Sequence, residues 1–219
     1  PLRGANGPAL RFSALTFWAL GFVAVGIALA TAAAWPVYES PRALVVGVAG
    51  GLLGMGVAVL ARMLRGGALL AALAAAAMYL IVAVPLAIPS ALSSVPAFLG
   101  GLRDAVFGVV LGWKQMLTLA PPLGEYQAVL IPFLVVMLFG GFLATFLALH
   151  PWRRPLAALP VVAAMSVFGV AFGLSATSAP VVVFGIEVPA PREWLIGVGV
   201  FAAALVWVIG RARIERAQA

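Results

Sequence analysis

The sequence predicts an all-α, polytopic membrane protein: a bundle of six transmembrane helices, arranged three plus three, with an extracytoplasmic interfacial helix between the third and the fourth. Only 9% of the 219 residues are charged, and 65% are hydrophobic, whereas soluble domains carry about 25% charged residues. The mean hydropathy is +1.19. The apolar residues form six continuous runs, each of a length that crosses a hydrocarbon layer of about 30 Å. A single membrane domain over residues 1–219 follows.

The first three predicted spans are residues 12–35, 43–61 and 66–88. Pro36 closes the first span, because proline disfavours a helical conformation in the residue before it. Arg42 lies in the turn before the second span, and Arg62 and Arg65 form a tight basic turn after it. Pro85 interrupts the third span close to its end.

The last three predicted spans are residues 129–149, 156–176 and 194–210. A basic turn over 150–155 joins the fourth span to the fifth. The segment from 177 to 193, which holds Glu187 and several Pro and Gly residues, is predicted as a loop. The sixth span is short, and arginines follow it at once.

Basic residues are divided unequally between the two sides of this arrangement. One side holds nine of them against Glu215 alone, and the other side holds four against five acidic residues. Since basic loops stay in the cytoplasm, both termini are predicted to be cytoplasmic and residues 89–128 extracytoplasmic. The nine are Arg3, Arg11, Arg62, Arg65, Arg153, Arg154, Arg211, Arg213 and Arg216.

The net charge of +7 is thus explained by topology, without a nucleic-acid partner. The use of Arg in place of Lys, with much Ala, Gly and Val, is typical of GC-rich bacterial coding. We therefore expect a bacterial plasma membrane as the location, with the lipid bilayer as the first partner.

Side chains that perform catalysis are scarce in this sequence. The predicted spans contain no Asp, Glu, Lys, Arg or His, which argues against a proton-coupled pump or an ion channel. The chain has no Cys and only one His, His150, and no known catalytic motif is present. We expect no catalytic residues, metal site or cofactor. A pair of Ser93 or Ser94 with Lys114 is the alternative, because a buried Lys can activate a serine.

Glycines spaced four apart predict close helix packing in the second and fifth spans. Small residues at this interval let helix backbones approach each other. Packing inside one bundle is the simpler interpretation, and a dimer interface is the alternative, so the oligomeric state stays open. The residues are Gly47, Gly50, Gly51, Gly54, Gly169 and Gly173.

Residues 89–128 form the largest predicted segment outside the bilayer. Ser93 or Ser94 is suited to cap a helix over 94–117, and proline at 96 is tolerated in a first turn. This helix is predicted to be interfacial or re-entrant, anchored by Trp113 beside Lys114. The alternative is a groove in which one set of side chains binds a polar or anionic envelope component. That set is Arg103, Asp104, Trp113, Lys114, Gln115 and Thr118.

A motif in this segment resembles a known family. It runs from Gly112 to Gln127 and includes the sequences Trp-Lys-Gln, Leu-Thr-Leu and Pro-Pro-Leu-Gly, with Leu-Arg-Asp-Ala upstream and Leu-Ile-Pro downstream. The segment is similar to the N-terminal membrane domain of bacterial transglutaminase-like membrane proteins of the TgpA type, in their actinobacterial form. The resemblance is closest over about residues 102–135 and is topological elsewhere.

The resemblance implies a longer parent protein. A further span and an extracytoplasmic transglutaminase-like domain with a Cys-His-Asp triad would follow, and none of that triad maps onto this chain. The expected function is a non-catalytic membrane domain that anchors and positions that C-terminal domain, its partner, in the cell envelope. The alternative is a small membrane carrier, or a protein that binds a lipid or an envelope precursor in a groove under 89–128.

Overall fold

The computed structural model describes residues 13–125, 128–150, 155–173, 178–183 and 186–217. Helices make up most of this part of the chain, with 3₁₀ turns at Pro89–Ser93 and Pro155–Ala157 and a short antiparallel hairpin of β1 (Val181–Val183) and β2 (Ile186–Val188). The helices are α1 (Ala14–Ala33), α2 (Trp35–Tyr38), α3 (Pro41–Met63), α4 (Ala68–Ala87), α5 (Val95–Thr118), α6 (Leu130–Ala148), α7 (Ala158–Phe172) and α8 (Pro191–Ala217).

Seven helical segments of the described chain are long and apolar enough to cross a membrane. They correspond to the six predicted spans and to α5. The molecule is therefore a multi-pass helical membrane bundle, as the sequence predicts. The contacts that α5 makes with the other helices, described below, bear on whether it also crosses the membrane.

Short hydroxyl side chains begin several of these helices. Ser13 accepts a hydrogen bond from the backbone of Thr16 at the start of α1, and Ser94 accepts one from Ala97 at the start of α5. Ser40 does the same for α3, whose first helical residue is a proline. Such caps satisfy backbone N–H groups that have no partner inside the helix.

The helices α3 and α6 run side by side in the same direction. Gly47 faces the ring of Phe133, and Gly54 faces the backbone of Leu138 and Phe142. Since both pairs advance together, α3 and α6 both run from the end of the bundle near Tyr38 toward the end near Arg62. We call these the Tyr38 end and the Arg62 end.

The helix α1 runs in the opposite direction to α3 and parallel to α7. Gly26 faces Val162 near the beginning of α7, and Gly169 faces the backbone of Ala33 near its end. The short turn after Met63 reverses the chain into α4. Hence α1, α4 and α7 all run toward the Tyr38 end.

The last helix packs against the first in an antiparallel arrangement. Trp207 is buried and stacks on Phe22 with ring centroids 4.5 Å apart, and Trp18 Nε1 donates to the Trp207 carbonyl at 3.0 Å. Gly199, nearer the start of α8, faces Leu29. The helix α8 therefore runs toward the Arg62 end.

The first half of α5 contacts α4 and the 3₁₀ turn that follows α4. Gly101 faces Ala91 and Val84, and the Tyr79 hydroxyl donates to the Ala105 carbonyl at 2.8 Å. These residues belong to the half of α4 nearest the Tyr38 end, and to the turn beyond it.

The second half of α5 contacts the same end of other helices. Gly108 and Gly112 face Ile131 and Pro132, in the first turn of α6. The Tyr38 hydroxyl lies 3.7 Å from the sulfur of Met116. Both halves of α5 therefore contact residues in the half of the bundle nearest the Tyr38 end.

Several predicted boundaries differ from the structure. The first span continues through α2 to Tyr38, because Pro36 lies in the first turn of α2, where no backbone N–H is required. The last helix begins at Pro191 and continues past residue 210. Its Arg211–Glu215 pair, at 2.6 Å, has the four-residue spacing that supports a helix.

The predicted loop over 177–193 contains the β1–β2 hairpin within its described part. Three successive valines precede the turn, and valine favours an extended conformation. The sequence analysis predicted a loop because of the Pro and Gly residues around them. Several residues used in the sequence analysis lie outside the described residues. They are Arg3, Arg11, Gln127, Arg153, Arg154 and residues 174–177.

Candidate functional site

One face of α5 is made of small residues, apart from Met116 at its end, and lies against the bundle. Gly101, Ala105, Gly108, Gly112 and Met116 are buried and recur at intervals of three or four residues, which places them on one side of a helix. Without larger side chains in these positions, the backbone of α5 packs directly on its neighbours. This face holds the rest of the helix in a defined orientation.

A second face of α5 is apolar and exposed. Val110 and Leu117 are 72% and 75% exposed, and Leu99 and Val106 are also exposed. A helix advances about 100° per residue, so these four side chains lie within one narrow stripe. In a membrane protein, such a stripe faces acyl chains.

The third face holds most of the polar side chains that the sequence analysis selected. Arg103, Asp104, Lys114, Gln115 and Thr118 fall within about a third of the helix circumference. Arg103 Nη2 lies 3.3 Å from Asp104 Oδ1 in an exposed ion pair. The structure thus brings these five residues to one side of α5, although they do not form one compact cluster.

Trp113 lies on a different side of α5 from the other selected residues. Its ring packs edge-on against Phe168 at 5.8 Å and close to Phe172 at 5.9 Å. Its Nε1 donates to the Val109 carbonyl at 2.9 Å. In the structure, Trp113 therefore joins α5 to α7 and does not share the polar face with Lys114.

A groove of about 430 Å³ runs along one edge of this polar face. One wall is a stripe of α5, and the other is formed by Ile88 after α4, by the 3₁₀ turn that follows it and by Ala128, just before α6. We call it the α5 groove. Its lining residues are Ile88, Ser90, Asp104, Phe107, Gly108, Leu111, Gly112, Gln115 and Ala128.

The polar atoms of the α5 groove lie toward its two ends. Asp104 and Ser90 line one end, and Gln115 lines the other, with Phe107 and Leu111 between them along α5. Gln115 Oε1 is buried and has no hydrogen-bond partner among the described residues. A buried carbonyl without a donor costs about 1–3 kcal/mol, so this atom favours an occupant that satisfies it.

The chain that follows α5 is fastened to the α2–α3 connection. The backbone N–H groups of Leu123 and Gly124 donate to the carbonyls of Val37 and Tyr38, at 2.8 and 3.1 Å. Gly124 has a φ of 61°, a left-handed conformation that glycine adopts without strain. This reversal directs the next residue, Glu125, back toward the start of α3.

Glu125 completes this attachment through its side chain. The Ser40 hydroxyl donates to Glu125 Oε1 at 2.5 Å, and Arg42 Nε donates to Oε2 at 2.9 Å. The hydrogen bond from Ser40 and the adjacent Arg42 guanidinium hold the pKa of Glu125 below its usual value, despite an opposing contribution from burial. We call these three residues the clasp.

Tyr38 links the same segments from inside the bundle. It is fully buried, and its hydroxyl donates to the Val129 carbonyl at 3.2 Å. Its ring also lies 5.5 Å from that of Phe133. Tyr38 and the clasp together attach the middle and the last residue of the 119–129 connection to the α2–α3 region.

The structure separates the residues of the serine–lysine alternative. Ser94 is the N-cap of α5, and Lys114 follows it by 20 residues of continuous helix, roughly 30 Å along the axis. Ser93 lies in the 3₁₀ turn before this helix. In the described part of the chain, no three His, Asp or Glu residues are grouped closely enough to hold a metal ion.

Sequence reasoning missed the other residues of the groove and the clasp. Ser90 and Ala128 lie outside the motif, and nothing in the local pattern pairs them with α5. The groove-lining residues of α5 itself, however, could have been predicted from the sequence. Asp104, Phe107, Leu111 and Gln115 follow one another at three or four residues, the spacing that places side chains on one face.

Comparison with known proteins adds no assignment to this geometry. No family model, curated protein or solved structure matches the chain. A proposal about function therefore rests on the contacts of the described residues.

Proposed function

We propose that this chain is a six-span domain of a bacterial plasma membrane that anchors and positions an extracytoplasmic transglutaminase-like domain of its parent protein. In this proposal α5 is an interfacial helix that lies across the extracytoplasmic end of the bundle. The single observation that carries it is the position of α5, both halves of which contact the Tyr38 end.

The direction of α6 supports six spans. If α5 crossed the membrane from the Tyr38 end, the following helix would begin at the Arg62 end. Instead, Val129 accepts a hydrogen bond from Tyr38 just before α6 starts. The remaining six long helices alternate in direction, so the described chain enters α1 and leaves α8 at the Arg62 end.

The distribution of charge supports the orientation. Among the described residues, the Arg62 end holds Arg62, Arg65 and three arginines of α8, with Glu215 as its acidic residue. The Tyr38 end holds four basic and five acidic residues. A cytoplasmic Arg62 end with cytoplasmic termini follows from the retention of basic loops inside the cell.

The construction of the Tyr38 end supports an anchoring role. The small-residue face of α5, the clasp and Tyr38 attach the longest connection of the bundle at many points. Such a surface is suited to hold a neighbouring domain in a fixed orientation, since rigid elements position a site more accurately than loops. The C-terminal domain would require a further span after α8, because α8 runs toward the Arg62 end.

Two measurements test the anchoring role. The purified 219-residue chain, reconstituted in lipid, is expected to show no acyl or peptidyl transfer between glutamine and lysine peptides. The coding sequence downstream of residue 219 is expected to encode one more span and a transglutaminase-like region with Cys, His and Asp. Turnover by the chain alone, or a downstream sequence without that region, would contradict the proposal.

The α5 groove favours a second function, in which the chain binds a lipid or an envelope precursor. Transport through the bundle is less well supported than binding at its surface. The helices α3 and α6 pack with backbone contacts at Gly54, Gly141 and Gly51, which leaves no space between these two helices there. The groove instead runs beside α5, near the Tyr38 end.

A further inference from the structure

We propose that the α5 groove binds a phospholipid with a primary amine in its head group, taken from the leaflet at the Tyr38 end. This inference rests on the second function above, occupation of the groove by an amphiphile, and names the chemistry of the occupant. It is independent of the anchoring role.

The end of the groove beside the 3₁₀ turn after α4 selects the amine. Asp104 and Ser90 line that end, and a carboxylate accepts hydrogen bonds without donating any. No Lys or Arg lines the groove, and the one cation at Asp104 is Arg103, which reaches Oδ1 from outside the groove at 3.3 Å. Ammonium binding would replace this exposed ion pair, which contributes little to stability. An ammonium group supplies both the positive charge and the N–H donors that these two side chains accept.

The far end of the groove accommodates the lipid backbone. Asp104 and Gln115 are eleven residues apart, roughly 16 Å along the helix, and a phosphate and a glycerol separate the amine of such a lipid from its ester groups. Gln115 carries a buried amide oxygen without a partner among the described residues. Rotation of this amide exchanges its acceptor for a donor, which an ester carbonyl accepts.

Of the two cationic residues of the polar face, Arg103 lies beside Asp104, at the level expected for the phosphate, and Lys114 lies beside Gln115 at the other end of the groove. Arg103 and Lys114 are exposed and flank the outer rim of the groove, beyond Phe107 and Leu111. Lys114 forms no ion pair with any described residue. Acidic lining with a basic rim complements a head group that has both an ammonium and a phosphate.

The surroundings of the groove favour a membrane lipid over a soluble amine. Phe107 and Leu111 are more than half exposed, and the adjacent stripe with Val110 and Leu117 is apolar. Exposed apolar surface beside a polar groove suits a molecule with acyl chains. The same position at the end of the bundle places the groove at head-group level in the proposed topology.

The test measures lipid binding to the purified 219-residue chain by native mass spectrometry. Phosphatidylethanolamine, phosphatidylcholine and phosphatidylglycerol with identical acyl chains are compared. The choline head group keeps the positive charge but has no N–H donor. We expect phosphatidylethanolamine to bind about tenfold more tightly than phosphatidylcholine, since hydrogen bonds between charged groups are the stronger kind.

The variant Asp104→Asn is expected to remove this preference, so that phosphatidylethanolamine and phosphatidylcholine bind with equal affinity. Asp104 is exposed, so the substitution is compatible with folding, and an unchanged thermal midpoint verifies this. The matched control is Glu187→Gln, which makes the same change of charge in β2, away from the groove. It is expected to keep the full preference.

Several outcomes would overturn the inference. Equal binding of phosphatidylethanolamine and phosphatidylcholine, or equal binding of phosphatidylglycerol, would refute the amine while leaving an amphiphile in the groove. Absence of bound lipid would refute the second function as well. Displacement of the lipid by free phosphoethanolamine at matched concentration would refute a membrane source. A preference that survives Asp104→Asn would refute the site.

Discussion

At the scale of single residues, absent side chains determine how closely the helices pack. A Cβ atom at Gly54 would overlap the Leu138 carbonyl oxygen and lie 2.8 Å from the Phe142 backbone nitrogen. Backbone atoms of a neighbouring helix cannot move aside as a flexible side chain does. Two residues later, Gly56 has no atom within 4 Å of the same position.

We therefore predict that Gly54→Ala lowers the stability of the bundle by about 2–3 kcal/mol, the cost of overpacking a rigid contact. The control Gly56→Ala is expected to be neutral or stabilising by up to about 1 kcal/mol, because alanine is the better helix former. Thermal unfolding in one detergent gives both values. Equal midpoints for the two variants would contradict close α3–α6 packing.

A second residue-scale feature is the carboxylate of Glu125, whose pKa is lowered by Ser40 and then by Arg42. A group with a lowered pKa in the folded state contributes stability that is present above its unfolded pKa, near 4.3. That stability is lost as the pH falls through the folded value. Glu125 is 45% exposed, so solvent screening keeps the contribution small.

We predict that Glu125→Gln costs about 0.2–1 kcal/mol of stability at pH 7, the range of exposed ion pairs. The difference from the unmodified chain should disappear once the pH falls below the folded pKa of Glu125. Unfolding midpoints measured from pH 7 to pH 3 test this, with Glu187→Gln as the control. A difference that persists unchanged at pH 3 would assign the effect to packing instead.

At the scale of elements, α5 is the helix whose position was hardest to predict. Its sequence combines a small-residue face, an apolar face and a polar face. A hydropathy average treats it as a candidate span, whereas its interruptions by Arg103, Asp104 and Lys114 favoured an interfacial helix. Composition alone does not separate the two, because the outcome depends on which residues each face contacts.

Adjacent glycines allow the docking of α5 to be tested directly. A side chain at Gly101 would meet Ala91 Cβ at 2.5 Å, while Gly100 has no atom within 4 Å. We predict that Gly101→Val lowers the unfolding midpoint through displacement of α5, at a cost of about 1–3 kcal/mol. Gly100→Val makes the same change of helix propensity on an open side of the helix.

Limited proteolysis of the 119–125 connection provides a second readout for the same pair. Displacement of α5 is expected to raise the cleavage rate in Gly101→Val and to leave Gly100→Val close to the unmodified chain. Matching cleavage rates and midpoints in the two variants would show that the face with Gly101 does not hold α5 in place.

At the scale of the whole molecule, the alternating directions of the helices lead to one topological prediction. Because the chain contains no cysteine, single cysteines report the side of the membrane without background. We expect Ser94→Cys and Leu119→Cys, at the two ends of α5, both to react with a membrane-impermeant maleimide in intact spheroplasts. Leu64→Cys, in the turn between α3 and α4, is expected to react only after permeabilisation.

The pair at the ends of α5 makes the experiment decisive. Reaction of Ser94→Cys and Leu119→Cys from opposite sides would mean that α5 crosses the membrane and that seven helices span. Reaction of Leu64→Cys alone in intact spheroplasts, with the other two cysteines reacting only after permeabilisation, would reverse the assignment of the Arg62 end to the cytoplasm.

The sequence by itself determined the class of protein and the approximate limits of six apolar helices. The physical reason is that a helix buried in lipid requires a long run of uncharged residues. Such a run can be read directly from the sequence. It also predicted a serine cap at position 93 or 94, of which Ser94 is the one in the structure, and it named the polar residues of α5. Local chemistry was sufficient for each of these.

Only the tertiary structure decided which other segments each face of α5 contacts. Trp113 and Gln115 are only two residues apart in the chain. In the structure, Trp113 packs on Phe168 of α7, whereas Gln115 lines the groove with Ser90. The clasp likewise joins Glu125 to Ser40 and Arg42, more than 80 residues away. Contacts between distant segments depend on how whole helices cross one another, and the spacing of residues along one helix does not contain that information.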